Sequence, residues 1–199
     1  MIISLERSAL LEAVTRLQRA VGSKTSMPVL EGILLSAEQG KVTLISYNLE
    51  MGMKKEIYAK CDEEGDIVIN ARLLCDILRR MNAPQVVITA NEKLACNIKC
   101  GEATFDIMGM AAEDFPEMPN VAEYKTVTLS SEDLKSMVRQ TSFAAAQMEG
   151  TRPILTGLDF EIENGQLKVV AIDGNRLAIR KKAINSSEKI SFVVSCRAI

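Results

Sequence analysis

Three carboxylates, Asp159, Glu161 and Glu163, alternate with apolar residues in the second half of the sequence. Because alternate residues of a β-strand point to the same face, their side chains would form one acidic row. A row of carboxylates can hold the divalent metal ions of a metal-dependent nuclease. It is also the usual solvent-exposed face of an amphipathic strand. The corresponding positions of an internal repeat, described below, carry one acid in three, which favours the second interpretation.

The composition excludes several kinds of active site. The sequence has no histidine, which rules out Ser-His-Asp triads, Cys-His pairs and histidine-ligated metals. Five cysteines, an odd number in a chain without a visible secretory signal, predict free thiols. Cys96 and Cys100 form a C-x3-C pair, but tetrahedral zinc needs four ligands, so we interpret them as small residues on one face of a strand. We therefore predict neither a cofactor nor a metal ion.

Positive charge is concentrated on the predicted helices, whereas acidic residues gather in the predicted strands and turns. The basic residues of the three helices are Arg7, Arg16, Arg19, Arg72, Arg79, Arg80, Lys135 and Arg139. No aromatic residue lies among them, which disfavours base stacking. The pattern predicts weak, sequence-independent contact with the backbone of duplex nucleic acid. Arginine-rich helices that merely face solvent are an equal alternative when charge alone is considered.

The length of 199 residues allows one large domain or two small ones. No apolar run approaches the roughly 18 residues needed to span a membrane. The N-terminal residues lead directly into a charged amphipathic pattern, without the apolar region and cleavage site of a secretory signal. The sequence therefore predicts a cytoplasmic protein without a membrane partner.

The chain contains one segment twice, a β-hairpin followed by a tight loop. In residues 152–176, two alternating strands flank the turn Asn164-Gly165, and Asp173-Gly174-Asn175 form the loop, which Asp173 is expected to cap. The segment PVLEG, from Pro28, matches PILTG, from Pro153. This offset of 125 residues stays nearly constant along the chain. The hairpin is therefore part of a large internal repeat.

Hydrophobic periodicity predicts that the first copy consists of two β-α-β-β-β units. Their expected elements are strand 2–5, helix 7–21, strands 33–38, 42–47 and 51–60, then strand 67–70, helix 71–81 and strands 85–90, 94–99 and 104–108. A proline-containing linker follows at 114–120. The second copy begins near Val127, with a helix at 131–141 capped by Ser130 or Ser131 and with Asp133 placed for a capping box.

The second copy is shorter than the first. Residues 66–72 align with residues 191–197, but the first copy continues to residue 122, whereas only two residues follow Arg197. An unfinished repeat leaves an apolar face and a sheet edge uncovered. We therefore expect the chain to be the N-terminal fragment of a longer protein.

These features together resemble the bacterial DNA polymerase III beta subunit, the replication sliding clamp. The resemblance rests on the duplicated unit, the segments MPVLEG and RPILTG, the Asp114-Phe115-Pro116 linker and the loop AIDGNRLA at 171–178. It implies the DNA-clamp fold, an α+β fold with helices on one face of antiparallel sheets. It also implies a complete first clamp domain at 1–122, an incomplete second domain at 126–199 and an absent third domain.

The resemblance further implies a function. Members of this family form a homodimeric ring that encircles double-stranded DNA, slides along it and serves as a non-catalytic processivity factor of the replicative polymerase holoenzyme. The implied partners are DNA, the polymerase catalytic subunit, the clamp loader and other proteins with a clamp-binding motif. Two other classes compete with this reading: a metal-dependent nuclease that uses the acidic strand, and a generic peptide-binding adaptor with incidental basic helices.

Two sets of site residues are carried over from the family. The DNA-contact residues are Lys24, Arg72, Gln147, Met148, Arg152 and Arg197. The pocket for a partner peptide contains Leu155, Ile172, Gly174, Asn175, Arg176 and Leu177. Ile172 and Asn175 replace a threonine and a histidine of well-known members, which leaves an apolar pocket.

Overall fold

The computed structural model describes residues 1–22, 26–119, 125–147 and 152–199. It divides the chain into two compact units, Met1–Pro119 and Asn120–Ile199. Helices accompany sheets whose described strand pairs are antiparallel, which confirms the predicted α+β class. None of the described helices has the length and apolar character needed to cross a membrane.

The first unit contains two sheets and two α-helices around one core. Its elements are β1 (Ile2–Glu6), α1 (Arg7–Leu17), β2 (Gly32–Glu38), β3 (Lys41–Tyr47), β4 (Gly52–Tyr58), β5 (Lys60–Glu63), β6 (Gly65–Asn70), α2 (Ala71–Arg80), β7 (Gln85–Ala90), β8 (Ala95–Cys100) and β9 (Ala103–Met108). The strand orders are β5-β1-β7-β8-β9 in one sheet and β4-β3-β2-β6 in the other.

Both helices of the first unit bury one apolar face in this core. Leu10, Val14 and Leu17 of α1 are buried, as their helical spacing predicted, and α2 adds Leu74 and Leu78. Each of these leucines stabilises the fold by about 1.5–3 kcal/mol, because its side chain is removed from water. The polar residues of the two helices are thereby left on the surface of the unit.

Two predicted elements of the first unit were wrong in their extent. The strand expected at 51–60 is divided at buried Ala59 into β4, which pairs with β3, and β5, which pairs with β1 of the other sheet. The helix expected to reach Val21 ends as an α-helix at Leu17 and continues as a 3₁₀ turn, Gln18–Ala20. In both places the local periodicity continues although the hydrogen-bond partners change.

The second unit repeats half of the first. Its elements are α3 (Ser131–Arg139), β10 (Gly157–Glu163), β11 (Gln166–Ile172), β12 (Leu177–Ala183) and β13 (Ile190–Ser195). The strand order β12-β11-β10-β13 reproduces the order β4-β3-β2-β6. The predicted hairpin turn is confirmed, since Asn164 and Gly165 both have positive φ, 54° and 71°.

The repeat implies a strand before α3 in the second unit, equivalent to β1. Residues 125–130 have no regular secondary structure, so this strand is not formed. In the first unit, β1 pairs with both β5 and β7. The described part of the second unit contains no strand equivalent to either of these partners. Val127 and Leu129 still pack against the core of the second unit, so their hydrophobic contacts persist without the pairing.

The two units differ in how completely they cover equivalent side chains. Phe192 of β13 stacks on Phe160 with ring centroids 5.4 Å apart, yet it remains 43% exposed. Its equivalent in β6, Ile67, is 1% exposed. A Cβ atom on Gly109 would clash with the Ile67 side chain, which shows how closely the chain after β9 covers this position. The second unit has no such cover among its described residues.

The structure identifies the cap of α3 and provides a test with a matched control. The Ser130 hydroxyl accepts a hydrogen bond from the Asp133 amide at 3.1 Å, whereas Ser131 lies within the helix. We expect Ser130→Ala to lower the free energy of unfolding by about 1 kcal/mol. Ser131→Ala should change it by no more than about 0.5 kcal/mol. Urea unfolding followed by NMR signals of α3 measures both, and equal effects would contradict the assigned cap.

Candidate functional site

Arg72 lies in the first turn of α2, the helix that follows β6. The helix begins where the Asn70 side chain accepts a hydrogen bond from the Leu73 amide at 3.0 Å. Gln18 donates to the Ala71 carbonyl at 2.8 Å and so joins the end of α1 to the start of α2. Exposed Arg72 and Arg79 line a surface groove of about 640 Å³ at this junction. The predicted DNA-contact residue is therefore held on a fixed, exposed helix surface.

Most helix cations are free of carboxylate partners in the described part of the chain. These exposed residues are Arg19, Arg72, Arg79, Arg80, Lys135 and Arg139, whereas Arg16 binds Glu12 at 2.6 Å and Arg7 donates to the Leu78 carbonyl at 3.1 Å. By contrast, many lysines of strands and loops form ion pairs: Lys41, Lys54, Lys60, Lys125, Lys168, Lys182 and Lys189. The helices therefore carry a set of exposed cations that the described carboxylates do not neutralise.

Of the other predicted DNA-contact residues, three lie in the second unit and are exposed. Arg197 follows β13, and its amide donates to the Ser195 hydroxyl at 3.3 Å, at the position equivalent to the Asn70 cap. The Arg152 backbone carbonyl accepts a hydrogen bond from the Leu155 amide at 2.9 Å, and Arg152 precedes the 3₁₀ turn Pro153–Thr156. Gln147 is also exposed.

Lys24 and Met148 lie outside the described residues. For Arg72, Gln147, Arg152 and Arg197, exposure is compatible with DNA contact. Their role in DNA binding stays a prediction.

The predicted peptide pocket is organised by one aspartate. Asp173 Oδ1 accepts hydrogen bonds from the Asn175 and Arg176 amides at 3.0 and 2.8 Å, and Oδ2 binds the Arg176 guanidinium at 2.8 and 2.6 Å. The hydrogen bonds from the Arg176 side chain, followed by those from the two amides, lower the pKa of Asp173. The predicted capping role of Asp173 is confirmed. Its bidentate clamp on Arg176 was not predicted.

The same turn occurs in the first unit without an aspartate–arginine pair. Asn48 Oδ1 accepts hydrogen bonds from the Glu50 and Met51 amides at 3.0 and 2.7 Å. In both copies the capping residue also donates its amide to the carbonyl of the last turn residue at 3.2 Å. Methionine therefore stands where the second unit has Arg176. A comparison of the two copies in the sequence could therefore have predicted the charged pair of the second unit.

Two apolar pocket residues are direct neighbours across strands. Ile172 and Leu177 are paired between β11 and β12, and they are 42% and 59% exposed. Leu155 is half-buried in the 3₁₀ turn that leads into β10, the strand beside β11. Gly174, with φ of 90°, allows the tight connection between Ile172 and Leu177. Their exposed apolar side chains suit contact with another apolar group.

Sequence reasoning missed Ile179, which extends this apolar surface. It lies two residues after Leu177 in β12 and is 49% exposed. Residues two apart in a strand share a face, so the alternation Leu177, Ile179 could have identified it. Ile154, in the turn before β10, is also exposed.

The acidic row of β10 is an outer sheet face whose charges are partly neutralised. Glu161 binds Lys168 at 2.6 Å, and Glu163 binds Lys189 at 2.7 Å. Partial burial, reinforced by the charge of Glu161, raises the pKa of Asp159. Within the described ranges, no three acidic, cysteine or histidine side chains are arranged to hold a metal ion. The nuclease alternative is not supported.

Cys96 and Cys100 are buried in β8 and point to the same face, as predicted. Burial raises the pKa of Cys96 to about 11, which keeps its thiol protonated at neutral pH. The Cys100 thiol donates to the Ala83 carbonyl at 3.2 Å. Both residues therefore belong to the packing of the first unit.

Comparisons with known proteins agree with the geometry. A family model described as the DNA polymerase III beta subunit, N-terminal domain, matches residues 1–119, and one for its central domain matches residues 128–199. Beta sliding clamps from Halalkalibacterium halodurans and Bacillus subtilis are 31% and 30% identical over 194 and 203 residues. These alignments cover 92% and 98% of this chain, and 50% and 53% of the relatives.

A solved structure shows the same fold. The DNA polymerase sliding clamp from Bacillus subtilis has a TM-score of 0.93 and 28% sequence identity, covering 99% of this chain and 54% of that chain. The predicted clamp fold is thereby confirmed. This chain spans about half the length of the relatives that it matches.

The Asp173–Arg176 pair predicts a pH effect that can be measured on one residue. Because the folded-state pKa of Asp173 lies below its unfolded-state value, the pair stabilises the fold above the unfolded-state pKa, and this contribution is lost as the pH falls through the folded-state pKa. Arg176→Met, which installs the residue of the first copy, should raise the pKa of Asp173 toward the ordinary aspartate value. Carboxyl-carbon NMR titration measures this change.

The matched control for this titration is Arg180→Met. Arg180 is an exposed arginine of β12, and among the described residues no hydrogen bond or ion pair joins it to Asp173. The control should leave the pKa of Asp173 unchanged. An unchanged pKa in Arg176→Met as well would show that backbone hydrogen bonds alone hold this carboxylate ionised.

Proposed function

Because the chain belongs to the DNA polymerase III beta subunit family, we propose that it forms part of a processivity clamp that keeps a replicative polymerase on duplex DNA. The observation that carries this proposal is the set of exposed helix cations, Arg72 and Arg79 among them, that have no carboxylate partner in the described part of the chain. The two units act as the first and second clamp domains. The boundaries at 122 and 126 stay predictions beside the family matches at 1–119 and 128–199.

The helix surface suits the DNA backbone for a physical reason. Free guanidinium groups such as those of Arg72 and Arg79 bind phosphates without giving up an existing protein partner. Phosphates repeat along the duplex regardless of sequence, so contact with them permits sliding. Lys24, Gln147, Met148, Arg152 and Arg197 complete the proposed DNA-contact set.

The second unit provides one side of the proposed peptide pocket. Ile172, Leu177 and Leu155 offer apolar surface to the side chains of a partner peptide, and the Asp173 clamp fixes Arg176 at its edge. Asn175 and Gly174 form the exposed turn beside it. Through this pocket the protein holds the polymerase catalytic subunit, the clamp loader and other clamp-binding proteins.

Tethering explains how such a protein acts without catalysis. A homodimeric ring closed around DNA keeps a bound polymerase at high local concentration near its template. The ring contributes geometry and weak contacts, and it carries out no bond-making step. The DNA that this ring encloses is a bacterial chromosome, so we expect the protein to lie in the cytoplasm. The competing adaptor function requires the peptide pocket and makes no use of the helix charges.

Salt dependence distinguishes the clamp from the adaptor. We expect Arg72→Ala with Arg79→Ala to reduce the slope of log affinity for duplex DNA against log salt by roughly 1 for each lost phosphate contact. Lys54→Ala with Lys189→Ala removes the same charge, but both lysines bind carboxylates, so the slope should stay unchanged. Fluorescence anisotropy at several salt concentrations measures the slopes. Identical slopes for both double variants and the unmodified chain would favour the adaptor.

The peptide pocket can be tested with two residues on the same strand face. Leu177→Ala should weaken binding of a peptide from the replicative polymerase by roughly tenfold, since a buried leucine contributes about 1.5–3 kcal/mol. Ile179→Ala removes a similar exposed side chain two residues farther along the same surface and should weaken binding by a smaller factor. Peptide titration by fluorescence anisotropy compares the two variants. If Ile179→Ala weakened peptide binding more than Leu177→Ala did, the peptide pocket would lie farther along β12.

A further inference from the structure

We propose that a groove on the outer face of the β4-β3-β2-β6 sheet in the first unit binds a basic peptide segment with apolar side chains from a partner protein. The groove has a volume of about 1070 Å³. It is lined by outward residues of β2, β3 and β4, by the β7–β8 turn and by the segment 111–118. None of the proposed DNA-contact or pocket residues contributes to it, so it goes beyond the proposed function.

The floor of the groove contains an apolar patch beside polar residues such as Ser36 and Thr43. Leu34 and Ile45 are cross-strand neighbours on β2 and β3, and both are only half-buried. Phe115 packs against this pair and is itself buried. A partner that covers Leu34 and Ile45 with apolar side chains gains hydrophobic free energy at this floor.

The segment along the groove is held in place by specific contacts. Met110 and Val68 exchange two backbone hydrogen bonds, at 2.8 and 3.1 Å, and the Gly109 amide donates to the Leu94 carbonyl at 2.8 Å. Farther along, the Met118 thioether packs on Gly52, where a Cβ atom would not fit. The groove is therefore formed before a partner arrives, which reduces the ordering cost of binding.

The charge of the groove selects the partner. Its acidic lining residues are Glu38, Asp66, Glu92, Glu113 and Glu117, against two basic residues, Lys41 and Lys54. Both lysines already bind carboxylates, since Lys41 lies 3.3 Å from Glu38 and Lys54 lies 3.4 Å from Glu56. Asp66, Glu92, Glu113 and Glu117 have no ion-pair partner within the described ranges. This lining repels nucleic acid and attracts lysine and arginine side chains.

The groove is specific to the first unit. At the positions of Leu34 and Thr43, both in the groove lining, the second unit has Asp159 and Lys168. Asp159 and Lys168 lie on the outer face of the second sheet, where Lys168 pairs with Glu161. A partner that fits the apolar floor of the first unit would meet charged side chains at these positions. The two copies therefore present different outer surfaces to different partners.

The test uses the intact chain and a short fluorescent peptide in which lysine and leucine alternate. Methyl NMR should show shifts confined to groove residues such as Leu34, Ile45 and Met118. Glu113→Gln with Glu117→Gln should weaken binding of the peptide by roughly three- to tenfold, since each substitution removes one exposed ion pair with a lysine of the peptide. Glu64→Gln with Glu102→Gln changes the net charge equally, outside the groove, and should leave the affinity unchanged.

Several results would overturn the proposal. One is an equal loss of peptide affinity in both double variants, which would show that the peptide is attracted only by the overall charge of the chain. Others are the absence of binding, shifts outside the groove, or equal binding of a peptide in which glutamate replaces lysine. If spermidine caused NMR shift changes at the groove residues as large as those caused by the peptide, the occupant would be a small polycation. Groove shifts that depend only on the concentration of the chain would identify a second copy.

Discussion

Burial of one face of a four-stranded antiparallel sheet is the constraint on which both units depend. Leu35 and Leu44 fill this face in the first unit, and Phe160 and Val169 fill it in the second. Since side chains alternate along a strand, a shift by one residue would move these residues to the solvent face. The register is therefore fixed by burial. The outward residues lie outside this core and can differ between the copies.

The outer faces have accordingly diverged while the scaffold has been retained. In the first unit, Phe115 and Met110 pack over the outer face and leave an acidic groove beside it. In the second unit, the equivalent strands expose Ile172 and Leu177, with a charged turn between them. One repeated fold thus presents two chemically different surfaces.

Charge is partitioned by the same logic. The apolar faces of α1 and α2 are buried, so their arginines project from the surface, and Arg72, Arg79 and Arg80 lie outside ion-pair distance of the described carboxylates. On the sheets, alternation places lysines and carboxylates opposite one another, as in Lys168 and Glu161. Cross-strand neighbours neutralise each other, whereas helix arginines retain their charge. This difference leaves exposed positive charge on the helices of a protein whose overall composition is nearly balanced.

The sequence by itself determined features that depend on near neighbours: strand alternation, the Asn164-Gly165 turn and the Asp173 cap. It also identified the 125-residue repeat and the family, because both are recognised by comparing residue types and need no knowledge of contacts. Only the tertiary structure decided the exchange of sheets at Ala59, the unformed strand before α3 and the lysine partners of the acidic row. Each of these depends on a partner distant in the chain. Hydrogen bonds, ion pairs and burial between distant segments leave no local periodicity from which they can be predicted.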